Sequence, residues 1–181
     1  MLQIVVPERE YWNEYSKQFV NTKEQTLCLE HSLVSISKWE SKFHKSFIKT
    51  FNKTPSDEEI RYYVKCMTLT QNVDPNVYLS LSEKNYRDIF AYINNTMTAT
   101  YINDSDDGKS RDVITSELIY YWMIQANIPF ECQKWHLNRL LTLIHVCSVK
   151  NQTEKKRNQS EIIADYAKEN ERRKKEWNTA G

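Results

Sequence analysis

Residues Ser110 to Lys150, SRDVITSELIYYWMIQANIPFECQKWHLNRLLTLIHVCSVK, decide the fold. They read as two helices joined by a tight elbow at Asn127-Ile128-Pro129. In the first, Val113, Ile114, Glu117, Leu118, Tyr121, Trp122 and Gln125 follow an i, i+3, i+4, i+7 march, apolar except at Glu117 and Gln125. Ser110 or Asp112 offers an oxygen to the free N–H groups of its first turn. Pro129 has no amide hydrogen and steers Ile128 out of the helical region, so this helix should stop near Ala126. The second helix carries Trp135, Leu137, Leu140, Leu141, Leu143, Ile144 and Val146. Apolar residues around more than one stripe predict that much of it is buried. The expectation is a core hairpin over Arg111 to Lys150, with the other elements packed against it.

Working outward, the whole chain of 181 residues suits one domain over residues 1–150 with a charged helix or tail over 151–181. Hydrophobic residues at 40% and charged residues at 27% are enough for a real core. Two glycines and four prolines are too few for the many tight turns of an all-β sandwich. The reading is a mainly α, compact helical domain around the central hairpin. Gly108 and Gly181 cannot build a phosphate-cradling loop. A net charge of +1 gives no global attraction to nucleic acid or anionic membrane. No apolar run approaches the roughly 20 residues of a membrane span. The start, MLQIVVPERE, is too short and too acidic for a signal peptide. Cys28, Cys66, Cys132 and Cys147 lie in apolar contexts without framework spacing, and read as reduced, buried thiols of a cytoplasmic chain.

Toward the N-terminus, Leu2 to Val6 is a β-prone run ended by Pro7, and Thr26 to Glu30 could pair with it as a small antiparallel ribbon. Between them, Arg9 to Phe19 suggests a short helix or turn. A helix from Ser32 or Ser35 to about Phe51 follows from the spacing of Leu33, Ile36, Trp39, Phe43, Phe47 and Ile48. Thr54-Pro55-Ser56-Asp57-Glu58-Glu59 is a start signal, by Thr54 with Pro55 or by a Ser56–Glu59 capping box, for a helix ending near Leu69. Val73-Asp74-Pro75 reads as a turn. Ser82 then caps a helix with Tyr86, Ile89, Phe90 and Ile93 inward. Thr98 to Ile102 is a candidate strand, and Asp104 to Lys109 reads as an exposed loop.

The constellations that invite chemistry have plainer readings. Cys132 and His136, at i and i+4, could hold one metal ion, but His145 and Cys147 sit two turns away at other azimuths. A thiol and imidazoles in a core account for them, and no metal or cofactor is expected. Cys28, Glu30, His31 and Ser32 are too close in sequence to converge as a nucleophilic triad. Asp104, Asp106, Asp107 and Gly108 lack the closing Glu of a calcium loop. No catalytic residue is assigned, so the chain reads as a non-enzyme.

Beyond Lys150, a helix from about Ser160 to Lys175, capped by Ser160, has only a narrow apolar stripe and suits a partner-covered element. Tyr166, Trp177 and the basic run Arg172, Arg173, Lys174 and Lys175 are the candidate partner contacts. Acidic residues interleave with that run, which favours a self-paired solvated face over phosphate contacts. Trp39, Trp122 and Trp135 read as core, whereas Trp12 and Trp177 have less apolar company and suit interface anchors.

Four segments carry a family resemblance: LEHSLVSISKWESKFHKSFI (Leu29 to Ile48), YYVKCMTL (Tyr62 to Leu69), NNTMTATYI (Asn94 to Ile102) and ITSELIYYWMIQANIPFECQKWHLNRLLTLIHVC (Ile114 to Cys147). Together they resemble tail assembly chaperones of tailed bacteriophages with long non-contractile tails. The WHLNRLLTLI block is the specific part, and the likeness covers roughly Leu29 to Lys150. The resemblance implies a non-enzymatic protein of the infected host's cytoplasm that coats the tape measure protein and helps tail-tube subunits polymerise. It implies that the tape measure protein, and the tail-tube protein beside it, are partners, and that the chaperone leaves before the virion matures. Self-association, the tail of one copy covering a neighbour, fits the weakly anchored C-terminal helix. The alternative is a structural virion component such as a connector or tail-completion subunit.

Overall fold

A computed structural model describes residues 1–13, 17–100 and 113–153, together with Tyr166, Lys168, Glu169, Arg172 and Arg173. Its chain opens as a ribbon. β1 (Leu2–Val6) pairs antiparallel with β4 (Gln25–Leu29), and β2 (Arg9–Asn13) pairs antiparallel with β3 (Gln18–Thr22). Partners run from Leu2 and Leu29 through Val6 and Gln25 to Arg9 and Thr22, then Asn13 and Gln18. The register therefore continues unchanged across Pro7 and Glu8, where proline has no N–H to give a ladder. The β1–β4 pairing is the one expected from the sequence. Where a helix or turn is expected over Arg9 to Phe19, the described residues instead form strand at Arg9–Asn13 and from Gln18 onward, with Tyr11 opposite Val20 and Trp12 opposite Phe19.

The helices follow. Ser32 caps α1 (Leu33–Phe43) and exchanges hydrogen bonds with Ser35. His44 then turns left-handed, with φ of 54°, and donates its amide to the Glu40 carbonyl. Ser46 starts α2 (Phe47–Phe51) as a new cap. The single helix expected to reach Phe51 is thus two, divided without glycine or proline. α3 (Asp57–Met67) begins with the Ser56–Glu59 capping box, and Ser82 makes the equivalent box with Asn85 for α4 (Glu83–Ile93). Asp74 caps a 3-10 turn over Pro75–Leu79. On α4, Asn85, Ile89 and Tyr92 are the buried positions, while Tyr86, Phe90 and Ile93 are half-buried. Thr98 to Thr100 carry no strand, and the rest of that candidate strand and the Asp104–Lys109 loop lie outside the described residues.

α5 (Ser116–Gln125) starts later than the sequence suggests, with Thr115 rather than Ser110 or Asp112 as its cap. Ser116, Ile119 and Met123 face inward, almost opposite the expected stripe, and Val113, Tyr121 and Ile124 are exposed. Leu118 through Ile124 are all apolar, so periodicity alone could not choose the face. The elbow behaves as read: Asn127 is left-handed and the Ile128 amide donates to the Met123 carbonyl at 2.9 Å, a Schellman closure. After Pro129 comes a 3-10 turn (Phe130–Lys134), and α6 (Leu137–Thr153) starts only at Leu137. Trp135 lies between them and is exposed, not core, and Trp122 is half-buried. Along α6, Leu137 and Leu140 are buried, whereas residues 141–147 are half-buried and 148–150 exposed, so less of it is sequestered than its composition suggests.

The chain is mainly helical with a small antiparallel ribbon at its N-terminus. It divides into two compact units, Met1–Val146 and Cys147–Gly181. Within the first unit, α1 is the hub: α2, α3, α5 and the Phe130–Lys134 turn all pack on it. Leu33, Ile36 and Trp39 on α1 meet a core that includes Leu27, Leu29, Val64, Met67, Ile119 and Leu140, all fully buried. The expected central hairpin is therefore replaced at the centre by α1. One carboxylate ties the layers together. Glu40, buried on α1, accepts the Phe47 amide at 2.8 Å and the Ser116 amide at 2.7 Å, so it caps the first turns of α2 and α5 at once. A negative charge at two helix N-termini is favourable on both counts.

Candidate functional site

Two histidines form the polar heart of the first unit. His31 immediately follows β4 and Glu30, and Tyr63 on α3 hydrogen-bonds its Nδ1. The Tyr63 hydroxyl also lies 3.3 Å from Ser35 Oγ. His136 stands between the Phe130–Lys134 turn and α6, and its Nε2 donates to the Tyr92 carbonyl at 3.0 Å. The two imidazoles are 5.0 Å apart, edge to face. The Leu137 amide donates to the His31 carbonyl at 2.8 Å, and Ser32 and His136 form an isolated antiparallel bridge. Burial, with repulsion from His136, holds His31 far below the ordinary imidazole range, at about 3. Burial also lowers His136, although the Tyr92 carbonyl and Glu30 pull it back upward. Burial pushes the Tyr63 phenol up, so it stays a neutral hydroxyl.

The polar groups of this arrangement are engaged by one another and by the backbone. Glu30 accepts the Tyr92 hydroxyl at 2.6 Å and pairs with the Met1 ammonium at 3.1 Å, so its carboxylate is engaged away from His31. The Ser32 hydroxyl is committed to capping α1. Cys132 and His136, expected on one helix, fall on either side of Trp135, in the 3-10 turn and before α6. Among the described residues, no group of three or more His, Cys, Asp or Glu side chains could hold a metal ion. Their four cysteines are free, but only Cys132 is buried; the other three are half-buried. Burial raises the Cys66 thiol to about 11, which leaves it un-ionised and a poor nucleophile.

The surfaces are more informative. At the far end of the ribbon, Trp12 and Phe19 are direct cross-strand partners, 5.0 Å apart and edge to face. They are 51% and 68% exposed, so their contact with each other leaves most of both rings to solvent. On α5, Tyr121 and Ile124 stand one turn apart on the outer face, and exposed Phe130 follows beyond the elbow, with its ring 6.3 Å from Tyr120. The exposure of Trp12 follows from its sparse apolar company in sequence; the α5 row was hidden by the misassigned inward face. Of the C-terminal candidates, Tyr166 is helical and exposed. Arg172 and Arg173 both reach Glu169, at 2.9 and 3.2 Å, the self-pairing the interleaved charges suggested. Lys174, Lys175 and Trp177 lie outside the described residues.

The class defined by these features is a mainly helical protein with an N-terminal β-ribbon and exposed apolar faces. Among the described residues, no helix is long and apolar enough to cross a membrane. Comparison with protein families, with curated proteins and with solved structures finds no match for this chain.

Proposed function

We propose that this protein is a tail assembly chaperone of a tailed bacteriophage, acting in the host cytoplasm without catalysis, and that its client is the tape measure protein. The observation that carries the reading is the exposed apolar row of Tyr121, Ile124 and Phe130. A long amphipathic client helix presents apolar residues every three or four positions, and such a row offers them cover. The sequence blocks over Leu29 to Lys150 add the specific family. Tyr166, Trp177, Arg172, Arg173, Lys174 and Lys175 are further contacts, either to the client, to the tail-tube protein or to a second copy. The finer architecture belongs to the same reading: the α5–elbow–α6 hairpin is the client-facing side of a domain centred on α1.

Co-expression with the cognate tape measure protein should yield a complex, and Tyr121→Glu with Ile124→Glu should lose it while leaving the melt unchanged. Retention of the complex by this double variant would move the client site elsewhere, and no complex with wild type would sink the reading. Mass spectrometry of purified virions addresses the rival role. Stoichiometric presence there would make the protein a structural virion component, such as a connector or tail-completion subunit.

A further inference from the structure

The His31–His136 contact gathers four parts of the first unit that are distant in sequence. His31 belongs to the junction of β4 and α1, His136 to the start of α6, and each is held by a tyrosine on a further helix, Tyr63 on α3 and Tyr92 on α4. The start of α6 is fastened here by the Leu137 amide on the His31 carbonyl, and next to it by Asn138 on the carbonyls of Ile93 and Asn95, at 3.0 and 2.8 Å. Both imidazoles are at least nine-tenths buried, and neither sits on a free carboxylate.

His136 shows why its neutral form is required. With Nε2–H given to Tyr92, Nδ1 is an acceptor, and it is buried without a partner. Protonation would put an N–H there with nothing to receive it, together with a charge 5.0 Å from a second imidazole. Around His31 stand the Tyr63 phenol, kept neutral by burial, and the Phe47 ring. Beside His136 is the Glu30 carboxylate, already holding the Tyr92 hydroxyl and the Met1 ammonium. Lys134 and Arg139 add positive charge along the same cleft, with the Arg139 guanidinium 4.4 Å over the Trp135 ring.

We propose that the His31–His136 pair is an acid-sensitive clamp: neutral, it fastens the start of α6 to the ribbon–α1 junction, and proton uptake releases it. The sign follows from linkage. Both imidazoles are held below their unfolded value of about 6.5, so the open form binds more protons as pH falls below that value. The clamp is complete above about pH 6.5 and is lost progressively below it. Well below that value each imidazole freed raises the opening constant by up to tenfold per pH unit, about 30-fold at pH 5 for His31 alone and more where His136 is freed with it.

Amide hydrogen exchange tests this on the intact protein, with the Leu137 amide as reporter and the Val64 amide in α3 as the control for global unfolding. Between pH 7 and pH 5, after correction for intrinsic rates, the Leu137 opening constant should rise by at least about 25-fold, the rise that His31 alone supplies. At pH 5 it should exceed that of Val64. A constant that stays flat, or one equal to that of Val64 at both pH values, would overturn the clamp. His136→Gln keeps an amide donor for the Tyr92 carbonyl but takes up no proton, and should show a smaller rise. An undiminished rise in that variant would remove the pair as the sensor.

Discussion

The two halves of the N-terminal ribbon share a register, a strand length and an antiparallel ladder, yet they have opposite fates. In β1 and β4, Ile4, Val6, Leu27 and Leu29 are buried, and β1 packs on α4. The Leu69 amide reaches the Cys28 carbonyl at 2.8 Å, and the Glu30 amide reaches Met67, so α3's end extends the ladder on one side. Among the residues of β2 and β3 whose burial is described, Thr22 is the buried one, and its hydroxyl donates to the Arg9 carbonyl at 3.0 Å and meets Ser80 Oγ at 2.7 Å. The paired positions that bury Ile4 and Leu27 recur, two residues at a time, at Trp12 and Phe19, but with no core behind them. An isolated two-stranded hairpin is marginal in water. The difference between the halves is thus in what lies under the sheet, and exposed aromatics persist only in the half that lacks support.

The largest effect should come from the supported half. Leu27→Ala removes a fully buried side chain between ribbon and helices and should cost about 2–5 kcal/mol, read as a lower urea midpoint with an unchanged slope. A loss under about 1 kcal/mol would mean that the first half, too, is held mainly by its ladder. Thr22→Val probes the seam between the halves. It keeps the shape but leaves the buried Ser80 hydroxyl without its partner, at about 1–3 kcal/mol. Exchange should quicken in β2 and β3 before β1 and β4; equal quickening in all four strands would show the ribbon to be one cooperative unit.

Much of this was legible where a local rule decides. Ser56 with Glu59, Ser82 before α4, and Pro129 after an asparagine all act within a few residues, and each marks an element end where the sequence placed it. Rules of that reach fail when the deciding partner is distant. Glu40 meets Ser116 across 76 positions, and that contact helps set where α5 starts. The face α5 buries is undecidable from seven consecutive apolar residues, which is why the helical march puts Tyr121 on the stripe although it is exposed. The same limit hid His31 with Tyr63 and with His136: each imidazole reads as a core histidine alone, and only packing makes them a pair. Trp12 was an exception, because sparse apolar neighbours in sequence became sparse neighbours in space.

That exception sets the smallest stability effect and the sharpest test of the comparison. Trp12→Ala deletes one ring of an exposed cross-strand pair, so folding should weaken by only about 0.2–1 kcal/mol. The aliphatic side chains of Ile4 and Leu27 would tolerate no such truncation, since burial there removes apolar surface from water, while at Trp12 most of it is still wet. If the aromatic pair serves recognition, the variant should bind the tape measure protein or a second copy more weakly despite a near-normal melt, because aromatic anchors dominate binding energy more than their folding contribution suggests. Calorimetric melting and co-purification on the same variant separate the two effects. A melt lowered as far as that of Leu27→Ala would show that the distal half is supported after all, and the contrast between the halves would dissolve. Normal melting with undiminished capture would leave the contrast in place but take Trp12 out of any interface, and Tyr121 and Ile124 on α5 would then be the next exposed apolar residues to test against a client.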